Sequence, residues 1–188
     1  AIEQLPAFRT CVASRVVQLF GGAGHPGVQV KTTRLIDLLA RATGAEPVFF
    51  PSPAVLGSAA AAEQLMKDPA VRRVMMLLPT VTIALVGIGS LEPSALLRES
   101  GNMTTAEDAV ELRAEGAVGD GAPVRSSYDA RLVGADADQI RAIPRRVAAA
   151  GGERKRAAIR GALRGGWVNV LITDVYTARD LLDRLDRA

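Results

Sequence analysis

Two glycines and a lysine after a short apolar run carry the clearest chemistry in this sequence. Gly151 and Gly152 end the run, and Lys155 falls in the first turn of the helix predicted to follow. Backbone N–H groups at the positive end of such a helix bind phosphate and other anions, and a lysine adds a mobile point charge. The alternative interpretation is an ordinary loop between a strand and a helix that carries an exposed lysine.

Glycines also follow two other predicted strands, at Gly21 and Gly22 and at Gly87 and Gly89. Ligands of open parallel sheets bind beyond the carboxyl ends of the strands, so the three glycine loops are predicted to converge on one small-molecule site. Gly21 and Gly22 would donate backbone N–H groups to an anion. Gly87 and Gly89 would let the backbone approach a ligand closely, although a tight exit from the strand explains them equally well. The sequence has neither a dinucleotide-binding fingerprint nor a P-loop, so no cofactor is predicted.

Four polar side chains are further candidates. Thr32 or Thr33 is predicted to cap the helix after the first glycine loop, and either hydroxyl could instead contact a phosphate. Asp120 is the best candidate for binding ligand hydroxyls, since a carboxylate accepts two hydrogen bonds from a diol. A helix or turn cap is the alternative role for Asp120. Asp174 is predicted to cap the last helix rather than to contact a ligand.

Composition narrows the class of protein. The 188 residues, 48% hydrophobic and 23% charged, predict one ordinary globular domain. The net charge of +3 forms no basic stripe that contains aromatic residues, so this segment is a poor candidate for binding nucleic acid. Cys11 and His25 are the only residues of their types and are interpreted as structural, which argues against a disulfide, a metal site and His-dependent catalysis. Neither a membrane span nor a signal peptide is expected, and the lone cysteine favours the cytoplasm.

Short apolar strands alternate with helical patterns along the chain. The sequence predicts strands over residues 15–20, 47–50, 83–86, 146–150 and 167–172. It predicts helices from Thr32 or Thr33 to Gly44, over 59–78 with a break at 68–69, from 104 to the glycine at 116, over 153–163, and from Asp174 onward. This alternation predicts an α/β fold, a parallel-sheet sandwich of the Rossmann-like type with helices on both faces.

Five short motifs occur in order along the chain. They are Val16-Val17-Gln18-Leu19-Phe20-Gly21-Gly22, Leu85-Val86-Gly87-Ile88-Gly89, Gly116-Ala117-Val118-Gly119-Asp120, Ala150-Gly151-Gly152-Glu153-Arg154-Lys155 with Ala158-Ile159, and Val168-Asn169-Val170-Leu171-Ile172-Thr173-Asp174 with Thr177-Ala178. Together they resemble the sugar-binding effector domain of SorC/DeoR-type bacterial transcriptional regulators, over nearly the whole chain. The resemblance implies a fold like that of ribose-5-phosphate isomerase, glucosamine-6-phosphate deaminase and the CoA transferases.

The resemblance also implies a ligand and partners. It assigns phosphate binding to Gly151, Gly152 and Lys155, and it makes a phosphorylated sugar the expected effector. It implies that residues 1–188 form one effector domain that works as a homodimer or homotetramer. A helix-turn-helix domain precedes this domain in the family, so contact with DNA is expected only through such a segment, which this sequence lacks.

Two positions depart from the family pattern. After Asp120 the family continues with a longer loop that contains aromatic residues and glycine, whereas Gly121-Ala122-Pro123-Val124-Arg125 follows at once here. Val175 stands where an acidic residue often follows the Thr-Asp pair. Both departures concern contacts to the sugar, while the phosphate-binding motifs are intact.

Four classes of function follow from the fold and the loops. An effector sensor fits all the motifs. A sugar-phosphate isomerase or deaminase needs a positioned base, for which the sequence offers Asp120 without a paired acid or histidine. A CoA transferase needs a nucleophilic glutamate, and Glu92 has no second supporting motif. A purely structural oligomerisation module leaves three glycine loops unexplained, so we predict a sensor and not an enzyme.

Overall fold

The computed structural model describes residues 12–22, 26–89, 121–122 and 126–185. These residues fall into two compact units. The first unit holds residues 12–22, 26–80 and 127–135, and the second holds 81–89, 121–122, 126 and 136–185. Each unit has its own parallel sheet.

A strand–helix–strand motif forms the start of the first unit. Strand β1 spans Arg15–Val17, helix α1 spans Pro26–Thr43 and strand β2 spans Glu46–Val48. The two strands pair in parallel. Gly44, at a φ of 71°, ends α1 in the left-handed conformation that favours glycine.

Two short helices follow in the first unit. Helix α2 spans Ala59–Met66 and helix α3 spans Pro69–Met75. The Ser58 side chain accepts a hydrogen bond from the Ala61 N–H (3.2 Å) and caps α2, while Asp68 caps α3 just before its proline. Helices α2 and α3 pack on an apolar core that includes buried residues from both helices and from the loops, namely Phe50, Ala62, Val71, Val74 and Val133.

The second unit contains three parallel strands in the order β3-β4-β5. Its elements are β3 (Ile83–Gly87), α4 (Ala137–Ala142), β4 (Arg145–Ala149), α5 (Arg156–Arg164), β5 (Val170–Ile172) and α6 (Val175–Leu185). A 3-10 turn over Glu153–Lys155 leads into α5. The buried residues of this unit include Ala84, Ala148 and Ile159, which come from two strands and α5.

Arg146 ties together the loops at the amino ends of β4 and β5. Its guanidinium donates hydrogen bonds to the carbonyls of Arg141 (2.9 Å), Gly166 (3.1 Å) and Ile143. The Asn169 side chain, in turn, accepts a hydrogen bond from the Arg146 backbone N–H (2.8 Å). A single charged side chain therefore joins the end of α4 to the turn after α5.

The predicted α/β class with parallel sheets is confirmed. All five predicted strands are present, although most are shorter than predicted. A strand extends only over the residues that are hydrogen-bonded to a neighbouring strand. The predicted break between α2 and α3 at residues 68–69 is confirmed. Helix α4 was not predicted, and the helix predicted over 104–116 lies outside the described residues.

The predicted start of the first long helix is wrong. Helix α1 begins at Pro26, so Thr32 and Thr33 lie inside it rather than at its N-cap. Proline has a fixed φ and no N–H to leave unpaired, which suits the first turn of a helix. No described helix is long and apolar enough to cross a lipid bilayer.

Candidate functional site

The carboxyl ends of three neighbouring strands lie at one edge of the second sheet. Gly87 of β3 is in register with Ala149 of β4, which is in register with Ile172 of β5. The chain segments that follow these strands carry Gly89, the Gly151-Gly152 pair and Asp174. Two of the three predicted glycine loops therefore share one edge, and the third belongs to the first unit.

The loop after β4 has the backbone predicted for a tight turn into a helix. Gly152 has a φ of 90°, a conformation that only glycine adopts without strain. The Lys155 N–H donates to the Gly152 carbonyl (3.0 Å), which closes the 3-10 turn before α5. The Lys155 side chain is half-buried, and none of the described carboxylates lies within ion-pair distance of it. Its positive charge therefore has no counter-ion among the described side chains.

Asp174 lies beside this loop and accepts three hydrogen bonds. Its Oδ1 accepts from the Thr177 N–H (2.8 Å), and its Oδ2 accepts from the Thr177 hydroxyl (2.7 Å) and the Gly152 N–H (2.8 Å). The Thr177 backbone N–H, the Thr177 hydroxyl and the Gly152 N–H, in that order, lower the pKa of Asp174 to about 2. The predicted cap role of Asp174 is confirmed, because Thr177 lies in the first turn of α6.

Gly152 therefore cannot offer its N–H freely to an anion. The same N–H also lies 3.0 Å from the Thr177 hydroxyl oxygen. Gly151 also packs directly against Asp174, since a Cβ on Gly151 would collide with Asp174 Oδ2. Thr173, the next residue along this edge, has a buried hydroxyl oxygen without a partner among the described residues. Sequence reasoning missed Thr173 and Thr177 as site residues, although the Thr-Asp-x-x-Thr spacing around a helix start was a usable signal.

No described residue crowds Gly87, the last residue of β3, or Gly89, two residues later. Neither Gly87 nor Gly89 has a positive φ, and no described atom lies within 4 Å of a Cβ built on either residue. The described part of the fold therefore gives no steric or conformational reason for glycine at these two positions.

Gly21 and Gly22 serve the packing of the first unit. Their N–H groups donate to the carbonyls of Val133 (2.9 Å) and Ser52 (2.7 Å), respectively. A Cβ on Gly21 would collide with the backbone of Pro53, and one on Gly22 would collide with the Gln29 side chain. Both N–H groups are thus already engaged, which does not support their predicted role as donors to a phosphate.

The remaining predicted residues lie elsewhere. Thr32 and Thr33 are half-buried within α1, about 9 Å and about 10.5 Å along the helix from its first residue at a rise of about 1.5 Å per residue. They do not lie at a helix terminus, so a phosphate contact through them stays a prediction. Asp120, His25, Cys11 and Glu92 lie outside the described residues. The described residues contain no group of three His, Cys, Asp or Glu side chains that could hold a metal ion.

Comparison with known proteins identifies the family. Residues 1–183 match the family described as "Putative sugar-binding domain". The chain is 34% identical over 179 residues to the deoxyribonucleoside regulator of Bacillus subtilis, covering 90% of this chain and 56% of that protein. It is 35% identical over 144 residues to the transcriptional regulator LsrR of Klebsiella pneumoniae, covering 70% of this chain and 44% of that protein. The chain thus spans about half the length of these curated relatives.

Solved structures share the fold. The crystal structure of the full-length sorbitol operon regulator SorC from Klebsiella pneumoniae superposes with a TM-score of 0.86 at 23% identity, over 96% of this chain and 62% of that one. This likeness confirms the Rossmann-like α/β fold. The match over residues 1–183, together with the two curated regulators at 34% and 35% identity, shows that the chain belongs to the sugar-binding domain family of the SorC/DeoR-type transcriptional regulators.

Proposed function

We propose that this chain is an effector-sensing domain that binds a phosphorylated sugar at the carboxyl edge of the second sheet. The observation that carries the proposal is the Lys155 side chain, which follows a Gly-Gly turn and has no counter-ion among the described carboxylates. An anionic ligand would supply the counter-charge that the described carboxylates do not. Membership of the sugar-binding family supports a sugar as the rest of the ligand.

The phosphate in this proposal lies against Lys155 and the backbone that follows Gly152. The 3-10 turn there begins at a glycine, so no side chain at the cap position covers its first N–H groups. The macrodipole of α5 adds partial positive charge at the same end. Because the Gly152 N–H is engaged by Asp174, we infer that it supports the turn and does not itself bind the phosphate.

The sugar ring in this proposal extends toward the loop after β3. The described residues leave space beside Gly87 and Gly89 for a ring that approaches the backbone closely. The Thr173 hydroxyl, which has no partner among the described residues, is a candidate contact for a sugar hydroxyl. Asp120 stays our prediction for a second hydroxyl contact.

We further propose that the domain senses the sugar without converting it. A general base works best with a pKa near the pH of the reaction. Asp174, the carboxylate beside the Gly-Gly turn, has a pKa lowered to about 2 and all its bonds directed at the protein, so it is a poor base. The named relatives are transcriptional regulators, which agrees with a sensing role.

Regulation would follow from differential binding. A ligand that binds one of two oligomeric arrangements more tightly shifts the population toward it. We propose that a homodimer or homotetramer is the responding species and that a different part of the full-length regulator contacts DNA.

A paired thermal-shift screen tests the proposed function. Ribose 5-phosphate, deoxyribose 5-phosphate, glucosamine 6-phosphate and fructose 6-phosphate are each compared with the parent sugar. Deoxyribose is included because a relative at 34% identity is named a deoxyribonucleoside regulator. A ligand at 100 times its Kd stabilises the folded state by about 2.7 kcal/mol, so one ester should raise the Tm while its parent does not. The same Tm shift with ester and parent, or conversion of the ester seen by NMR, would contradict the proposal.

A further inference from the structure

The Asp174 carboxylate, the Thr177 hydroxyl and the Gly152 N–H form a closed hydrogen-bond cluster, called the Asp174 clasp below. Asp174 Oδ2 accepts from both donors at 2.7 and 2.8 Å, and the Thr177 oxygen lies 3.0 Å from the same Gly152 nitrogen. Thr177 has no exposed surface. The clasp joins the start of α6 to the turn before α5, across 22 residues of chain.

The clasp fixes the position of the Lys155 backbone. The Lys155 N–H donates to the Gly152 carbonyl, and the Gly152 N–H donates to Asp174. Gly151 packs so closely against the carboxylate that no Cβ fits between them. The Gly152–Lys155 turn is therefore held in one position by a side chain from a different strand–helix connection.

A carboxylate beside an anion-binding turn has an electrostatic disadvantage. Its negative charge repels a phosphate, and the repulsion is greatest at short range. Helix capping alone does not account for an acid here, because asparagine and serine cap helices about as well as aspartate. What the acid adds over a neutral cap is a second oxygen that accepts from Gly152 and Thr177 together.

We propose that Asp174 and Thr177 are positioning residues for the phosphate site, which hold the Gly152–Lys155 turn in its binding geometry without contacting the ligand. The inference rests on the proposed function, since it assumes that this turn binds the phosphate. It assigns the Gly152 N–H to the clasp and leaves the ligand to Lys155 and the backbone after Gly152.

Asp174→Asn separates positioning from charge because the two accounts predict opposite signs. If the carboxylate acts only through its charge, the neutral variant binds phosphate more tightly. If the clasp positions the turn, the variant binds more weakly. Asparagine keeps one oxygen for the Thr177 N–H, so the cap survives, but its NH₂ group then faces the donors of Gly152 and Thr177.

Three further variants complete the set. Thr177→Val keeps the shape and the Asp174 charge but removes the hydroxyl, and Thr177→Ser restores the hydroxyl. Asp136→Asn is the matched control, because Asp136 also caps a helix of the second unit, by accepting from the Gln139 N–H (2.7 Å). Asparagine preserves that cap as well.

The test uses the 188-residue chain, inorganic phosphate as the probe and two NMR readouts. The first readout is the hydrogen-exchange rate of the Gly152 amide without ligand, and the second is the phosphate Kd. We expect Asp174→Asn to speed the exchange and to weaken binding about tenfold, equivalent to about 1.4 kcal/mol. Thr177→Val should weaken binding less, while Thr177→Ser and Asp136→Asn should bind like the wild type.

Each other result overturns the inference in a distinct way. Unchanged Gly152 exchange in Asp174→Asn shows that the clasp does not hold the turn. Faster exchange with equal or tighter phosphate binding shows that the clasp does not serve the site, while the proposed function stands. A wild-type chain that binds neither phosphate nor any sugar phosphate overturns the proposed function and the inference with it.

Discussion

Lys155 supplies the proposed phosphate contact as a single compact charge. Lys155→Ala should weaken binding of the sugar phosphate by roughly 1.5 to 3 kcal/mol, the range for a hydrogen bond to a charged group, without unfolding the domain. Lys155→Arg should restore binding only in part, because the planar guanidinium of arginine does not reproduce the compact charge of the lysine ammonium. Calorimetry measures both, with Lys31→Ala, an exposed lysine on α1, as the control. Normal binding by Lys155→Ala would make Lys155 an ordinary surface residue.

Asp174 provides a pH prediction at the same scale. The clasp donors lower its pKa to about 2, below the value of about 3.9 expected in the unfolded chain. A lowered pKa means that the group stabilises the fold fully above about pH 4 and loses this contribution as the pH falls toward 2. An NMR titration of the Asp174 side-chain carbon should therefore have its midpoint near 2, and a midpoint near 4 would show that the clasp is absent in solution.

The secondary-structure elements rest on a few polar contacts as well as on the apolar core. Arg146 is the clearest case, since its guanidinium donates to three carbonyls at the ends of α4 and α5. Arg146→Ala should destabilise the chain by about 1.5 to 3 kcal/mol, because the lost bonds are to a charged donor. Urea unfolding measures this effect. Arg145→Ala, an exposed neighbour in the same strand, should change stability by less than about 0.5 kcal/mol, and equal effects would refute the assignment.

Sequence patterns predicted the strands and most helices because apolar runs and glycine stops are local signals. The start of α1 was misplaced because Pro26, at its first position, was included in the glycine loop. Helix α4 was missed because it has only six residues, although Asp136 and Gln139 form a capping box at its start. The bounds of short strands depend on pairing with neighbours, which no single segment reveals.

In the candidate site, too, the sequence predicted the local features but not the tertiary contacts. Gly151, Gly152 and Lys155 lie on a strand-to-helix turn, as their local order indicated. The engagement of the Gly152 N–H by Asp174 was not predictable, because the two residues are 22 positions apart and their meeting depends on the pairing of β4 with β5. The packing of Gly21 against Pro53 is likewise a tertiary contact.

At the scale of the whole molecule, we predict self-association. Helix α6 exposes two apolar side chains on one face, since Val175 (53% exposed) and Leu182 (60% exposed) are seven residues apart. Exposed apolar residues are typical of protein contacts when they cluster in this way. Sedimentation at tens of micromolar should show a dimer or tetramer that Leu182→Glu weakens. Arg73→Ala, at an exposed polar position on α3, serves as the control. A monomer at all concentrations, with and without ligand, would contradict this prediction.

Discrimination between a sugar phosphate and its parent sugar is the central claim about this molecule. Isothermal titration calorimetry of the ester that gives the largest thermal shift, beside its unphosphorylated parent, tests the claim most directly. The anion site at Lys155 predicts that the ester binds at least about tenfold more tightly, a difference of about 1.4 kcal/mol that disappears in Lys155→Ala. Equal affinity of the wild-type chain for the two sugars would contradict the account.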